Sequence, residues 1–218
     1  MNTLLVINSS GRVTRSITRR LTGRFISEWR AGYPEGVIVE REVGINPPPA
    51  INESWIAAAF AKTPSAGDRE ALALSDRLVD ELAAADAIVI GVPIYNFGMP
   101  ASLKAYFDQV IRMGRTVAID PDGPEPYRPL LKDKPVAIIV SAGDGAMHPG
   151  GALWSMNHLE PHLITVLEFI GLTDVHFVRA GYDEYQDDRA RRSLSKAEED
   201  VGRLVDVLLR GDEVGTKI

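Results

Sequence analysis

Residues 87–108 read AIVIGVPIYNFGMPASLKAYFD, and this stretch decides the fold of the chain. The apolar run 87–92 is typical of a buried parallel strand. From residue 103 onward, apolar side chains recur at the spacing of an amphipathic helix. In the turn at 93–100, an asparagine lies between two aromatic residues. Packing alone does not explain aromatic residues in a turn that we expect to be exposed. We expect this turn to bind a flat ligand through its backbone amides and the Asn96 side chain.

The pattern of strand, loop and helix recurs along the rest of the chain. The predicted strands cover 3–8, 36–42, 87–92, 135–140 and 175–178. Helices are predicted from about Ser16, over 68–85, after 103 and over 159–170, with a last helix opening at the capping box Ser195–Glu198. Alternating strands and helices imply an α/β fold, a doubly wound parallel sheet with helices on both faces. Five strands favour the flavodoxin-like order 2-1-3-4-5, in a single domain over residues 1–218.

Composition limits the classes of function. The chain has 218 residues and a net charge of −6, which argues against a broad nucleic-acid or anionic-membrane surface. It has no cysteine, so disulfides, thiolate catalysis and cysteine-bound metal are excluded, and redox chemistry would need a bound cofactor. No signal peptide and no apolar run of about 18 residues are found. We therefore expect a cytoplasmic enzyme with no membrane span.

Ligands of such sheets bind beyond the carboxyl ends of the strands, where three unusual loops are expected. The first, 8–18, offers serine and threonine hydroxyls and free N–H groups at a helix start, which predicts an anion site. It is neither a Walker loop nor a Gly-x-Gly-x-x-Gly fingerprint. An equally open interpretation is that Ser16 simply caps the helix.

The third loop, 141–151, contains four glycines, which allow the backbone to approach a ligand closely. A flexible structural loop is the alternative. His148 is a candidate donor to a substrate oxygen, although a solvated loop histidine fits the sequence equally well. No metal-ligand spacing and no nucleophile elbow occur, so no metal site is expected.

Together these motifs resemble the FMN-dependent NADH:quinone oxidoreductases known as azoreductases. Two further phrases, 70–76 and 169–175, also look like that family, and the resemblance covers nearly the whole chain. It implies a homodimer with FMN at the three loops, its phosphate held by Ser10, Ser16 and Thr18. Asn96 and the backbone of 94–97 would line the flavin ring, with Ser141 and Gly143 at the other edge. The complete expected set of cofactor contacts is Ser10, Ser16, Ile17, Thr18, Pro93, Ile94, Tyr95, Asn96, Phe97, Ser141, Ala142, Gly143 and Gly145.

The activity implied by the resemblance is a ping-pong reduction in which NADH or NADPH reduces the flavin, and a quinone or azo compound then takes two electrons. Two alternatives stay open at this point. One is a flavodoxin-type electron carrier without direct NAD(P)H oxidation. The other is a phosphoester hydrolase that uses the serine-rich loop as an anion site.

Large aromatic residues in the long connections 43–67 and 115–134 predict an interface. Trp55, Phe60 and Tyr127 lie in connections that a monomer would leave partly exposed, and Phe169 lies in an apolar helix. We expect a homodimer with the active site near the interface, and a substrate pocket formed by Phe60, Tyr127, His148 and Phe169. The alternative is that Trp55 and Phe60 pin their own connection and that Phe169 belongs to the core.

Overall fold

A five-stranded parallel sheet forms the centre of the molecule in a computed structural model that describes residues 2–210. The strands are β1 (Thr3–Asn8), β2 (Val37–Glu42), β3 (Ala87–Pro93), β4 (Val117–Ile119), β5 (Tyr127–Pro129), β6 (Val136–Ser141) and β7 (Val175–Ala180). The sheet order is β2-β1-β3-β6-β7, while β4 and β5 pair separately as a small antiparallel hairpin. The predicted order 2-1-3-4-5 is therefore confirmed. Residues 1 and 211–218, the ends of the predicted domain, lie outside the described residues.

Helices cover both faces of the sheet, because its central strands are apolar on both sides. The helices are α1 (Ile17–Gly32), α2 (Glu53–Ala59), α3 (Ala66–Ala84), α4 (Ala101–Val110), α5 (Leu159–Ile170) and α6 (Asp188–Arg210). On one face α1 and α6 bury Phe25, Trp29 and Val201. On the other face α3, α4 and α5 bury Leu78, Phe107 and Leu163. Among residues 2–210 no helix has the length and apolar character needed to cross a membrane.

The last helix begins earlier than its capping box predicts. It starts at Asp188, and Ser195 lies exposed within it. The side chain of Asp187 accepts the backbone N–H groups of Arg189, at 2.8 Å, and Ala190, at 3.4 Å. Because an aspartate at this position satisfies two of the free donors of the first turn, it replaces the predicted Ser195–Glu198 cap.

The connection 43–67 contains a helix that the sequence did not predict, and it buries Trp55. The Trp55 side chain is only 9% exposed, and its Nε1–H donates to Gln109 Oε1 at 2.9 Å. Gln109 also donates to the carbonyl of Pro49, at 2.9 Å, so one buried amide fixes two points of this connection. The expectation that Trp55 is partly exposed is wrong: its indole N–H has a partner on α4 that pattern alone does not reveal.

Candidate functional site

The loops that follow β1, β3 and β6 meet around one cavity of about 380 Å³, a volume typical of a small-molecule site. The parallel strands bring these loops together, since their carboxyl ends share one edge of the sheet. The cavity is lined by Ser10, Arg12, Arg15, Ser16, Ile17, Pro93, Ile94, Tyr95, Asn96, Ser141, Ala142, Gly143, Asp183 and Glu184. Of the expected cofactor contacts, only Thr18, Phe97 and Gly145 are not among the lining residues.

The first wall is the start of α1. Ser16 caps the helix, since its Oγ accepts the Arg19 N–H at 3.3 Å, and it lies 3.1 Å from the Thr18 hydroxyl oxygen. The N–H groups of Ile17 and Thr18 make no hydrogen bond with any described residue. Arg15 likewise makes no ion pair within residues 2–210, whereas Arg12 pairs with Asp183 at 3.0 Å. The cap and the anion site are therefore compatible: the helix start keeps free donors and one uncompensated cation.

The second wall is a tight turn with unusual backbone geometry. Asn96 and Phe97 have φ angles of +46° and +70°, and Tyr95 and Gly98 exchange two backbone hydrogen bonds of 3.1 and 3.0 Å. Two successive positive φ angles indicate a type I′ turn, where a bulky residue such as phenylalanine costs about 1–3 kcal/mol. The N–H groups of Asn96 and Phe97 have no hydrogen-bond partner among the described residues. The turn thus presents two free donors beside aromatic rings that are 40% and 41% exposed.

The third wall is the loop after β6. Asp144 accepts the Ala146 N–H at 2.8 Å and the Tyr185 hydroxyl at 2.8 Å. These hydrogen bonds, the backbone one first, hold the pKa of Asp144 below its usual value. Gly143 lies close to the Glu184 side chain, since a Cβ at this position would lie 2.5 Å from Glu184 Oε1. The loop is therefore fastened to the segment that follows β7.

That segment, residues 181–187, is the part of the site that sequence reasoning missed. Asp183 and Glu184 line the cavity, and the Glu184 N–H donates to the Gly143 carbonyl at 3.2 Å. The segment crosses from the third loop to the first, where Asp183 meets Arg12. Its position after the carboxyl end of the fifth strand of the sheet was the signal that could have found it.

Comparison with known proteins identifies the family. A model of a family described as having a flavodoxin-like fold matches residues 2–204. Over 212 residues the chain is 55% identical to the FMN-dependent NADH:quinone oxidoreductase of Opitutus terrae. The alignment covers 96% of this chain and 97% of that protein. The chain belongs to the FMN-dependent NADH:quinone oxidoreductase family. The resemblance drawn from the sequence motifs is thereby confirmed.

Solved structures of that kind share the fold. The azoreductase from Bacillus anthracis superposes with a TM-score of 0.83 at 20% identity, covering 94% of this chain and 99% of that one. An FMN-dependent NADH-azoreductase from the same species, solved in complex with FMN, gives a TM-score of 0.79 at 20% identity, covering 94% of this chain and 100% of that one. At this identity the likeness establishes the fold.

The residues expected to form the substrate pocket lie outside the cavity. Phe60 ends α2 and is 64% exposed, and Tyr127 packs against Phe169 with ring centroids 5.4 Å apart. His148 lines a different groove, between β7 and α6, where burial lowers its pKa and its Nε2 has no hydrogen-bond partner among the described residues. A single copy of the chain therefore brings none of these four side chains to the cavity, and the position of His148 does not support a substrate contact.

Proposed function

We propose that this chain is an FMN-dependent oxidoreductase that uses NADH or NADPH to reduce quinones and azo compounds by two-electron, ping-pong hydride transfer. The observation that carries the proposal is the cavity at the carboxyl ends of β1, β3 and β6. One side of it is a helix start rich in hydroxyls, and the other is an aromatic turn with free amides. A ligand that combines a phosphate with a flat polar ring matches both sides.

The phosphate belongs at the first wall. Ser10 and Ser16 offer hydroxyls, and the unbonded N–H groups of Ile17 and Thr18 add donors at the positive end of the helix dipole. Arg15 supplies a positive charge that no described carboxylate compensates. Thr18 itself is buried, so its hydroxyl orients Ser16 through their 3.1 Å contact.

The ring belongs against the turn 94–97. The free N–H groups of Asn96 and Phe97 favour ring atoms that carry negative charge, and the strained backbone fixes those donors before the ligand arrives. Ser141, Ala142 and Gly143 close the opposite edge. When bound there, FMN would supply the redox chemistry, accepting a hydride and passing two electrons to the acceptor. The protein's contribution is to hold the ring and leave one face open to both substrates in turn.

The visible spectrum of the purified protein tests the cofactor, and rapid mixing with NADH tests the activity. We expect a yellow protein that releases FMN, and not FAD, on denaturation. Under anaerobic conditions NADH or NADPH should bleach the flavin, and a quinone should restore its colour. A protein that binds FMN but is not bleached would be an electron carrier. A protein that takes up no flavin would contradict the proposal and revive the hydrolase alternative.

We also propose that the active enzyme is a cytoplasmic homodimer with its sites near the interface. Phe60 and Tyr127 are exposed although they are large and apolar, and Ile56 and Ile119, also exposed, lie nearby in the chain. A second copy would bury these side chains and place Phe60, Tyr127 and Phe169 toward the substrate side of a flavin.

Mixing two inactive variants tests whether the sites are shared. Phe60→Ala subunits combined with Asn96→Ala subunits form heterodimers in which one site carries both changes and the other carries neither. Activity should therefore partly return on mixing. A monomeric mass at micromolar concentration, or no recovery at any ratio, would contradict shared sites.

A further inference from the structure

Arg19 lies in the first turn of α1, and each nitrogen of its guanidinium group bonds to the first loop or to Glu42. Its Nε donates to the Arg12 carbonyl at 2.9 Å, and its Nη2 donates to the Ser10 carbonyl at 2.8 Å. Its Nη1 pairs with Glu42. The side chain is only 15% exposed, so these bonds are largely shielded from water.

Side chains, and not backbone hydrogen bonds, hold residues 10–15 of the first loop. Residues 10–15 make no backbone-to-backbone hydrogen bond with any described residue. Two of its N–H groups bond to side chains: Gly11 N–H donates to the Tyr95 hydroxyl at 3.3 Å, and Arg12 N–H donates to Ser10 Oγ at 3.2 Å. On the exposed side, Arg12 pairs with Asp183 at 3.0 Å, and Arg15 donates to Gln186 at 3.4 Å. The Ser10 and Arg12 carbonyls are therefore both held by Arg19, whose side chain is largely buried.

Glu42 holds that side chain in place and cancels its charge. One carboxylate oxygen pairs with Arg19, and the other accepts the Asn8 Nδ2–H at 2.9 Å. Asn8 is buried and accepts the Thr22 hydroxyl at 2.9 Å, so the chain of bonds ends in the core. Because Arg19 is compensated and Arg15 is not, the two arginines have different tasks. Arg15 offers charge to the cavity, and Arg19 shapes the loop.

We propose that Arg19, braced by Glu42, is a positioning residue that holds the first loop in its phosphate-binding form and so makes the site select FMN over riboflavin. The proposal rests on the proposed FMN function and deepens it. A planar fork is required, since a lysine can keep the ion pair but cannot bond two carbonyls and a carboxylate in fixed directions.

Arg19→Lys in the flavin-loaded protein tests this role, and Arg24→Lys is the matched control, because Arg24 lies on the same helix in an exposed pair with Glu28. Each protein is incubated with equal concentrations of FMN and riboflavin, and the bound flavins are separated and quantified. The ³¹P resonance of bound FMN is recorded as a second readout. We expect Arg19→Lys to lower the ratio of bound FMN to riboflavin about tenfold or more and to shift the resonance, since it loses bonds from a charged donor. Arg24→Lys should match the wild type.

The outcomes separate the two proposals. If the wild type holds FMN and Arg19→Lys keeps the same ratio and resonance, the positioning role is wrong and the proposed function stands. If the wild type takes up no flavin, both are wrong. If Arg19→Lys does not fold, Glu42→Gln removes only the charge of the brace, and the same two measurements decide: a lowered ratio supports the role and an unchanged ratio overturns it.

Discussion

Gly44→Ala should damage the first loop at Ser10, whose carbonyl also accepts a hydrogen bond from Arg19. An added Cβ at Gly44 would lie 2.2 Å from the Ser10 carbonyl oxygen and 2.7 Å from the Ser9 carbonyl carbon. Ordinary contact begins at 3.4 Å, so the backbone of the loop must move by about 1.2 Å. The atoms in the way belong to the main chain, and no side-chain rotation relieves the contact. The Ser10 carbonyl would then also lose its hydrogen bond to Arg19.

We expect Gly44→Ala to lower the free energy of unfolding by about 1–3 kcal/mol, the usual cost of overpacking. FMN affinity should fall at least about tenfold, because each displaced bond to the phosphate contributes roughly 1.5–3 kcal/mol. Urea unfolding and fluorescence titration with FMN measure the two effects.

Gly23→Ala is the matched control. Gly23 lies within α1, and an added Cβ would meet no atom within 4 Å. This variant should gain about 0.5–1 kcal/mol of stability from helix propensity and bind FMN as the wild type does. Wild-type FMN affinity in Gly44→Ala would refute the reasoning, because it would mean that the path of the loop at Ser10 does not matter for the phosphate.

Three other perturbations probe the charge, the core and the pH response. Arg15→Gln should weaken FMN binding roughly tenfold at low salt, and the difference should narrow as NaCl is added, whereas Arg30→Gln, at the far end of the same helix, should have no effect on the titration. Arg179→Met should lower the free energy of unfolding in urea by about 3–5 kcal/mol, because Glu160 is 2% exposed and loses its partner 2.8 Å away. Adding Glu160→Gln should restore most of this loss. Additive losses in the double variant would contradict the pairing. A side-chain hydrogen bond from Ser65 lowers the pKa of Asp68 below 3.8, so the Asp68 carboxylate stabilises the fold fully above pH 3.8 and this stabilisation is lost as pH falls through the pKa of the folded state. Between pH 6 and pH 3, Asp68→Asn should therefore lose less free energy of unfolding than the wild type does. Parallel plots of unfolding free energy against pH for the two proteins would rule this out.

The sequence predicted the sheet and three of the four segments that surround the cavity. The apolar strands 3–8, 87–92 and 135–140 are short and buried on both faces, so their pattern marks a parallel sheet without further information. Once the strand order is inferred from the alternation of strands and helices, the loops after these strands must meet at one edge, because parallel strands end on the same side. The capping role of Ser16 and the turn at Asn96 depend on neighbours within a few residues, which the sequence displays directly.

Only the tertiary structure decided which distant residues complete the site. Asp183 reaches Arg12 across 171 positions of sequence, and Trp55 is buried because Gln109, 54 positions away, accepts its N–H. Glu42 lies beside Arg19 because β2 pairs in register with β1, and Arg19 follows β1 in the first turn of α1. None of these pairs leaves a periodic signal in the sequence, since each depends on where whole elements pack and not on the spacing of residues within one element. The sequence therefore determined at which edge of the sheet the cavity lies, and the packing of the elements determined which side chains hold the surrounding loops in place.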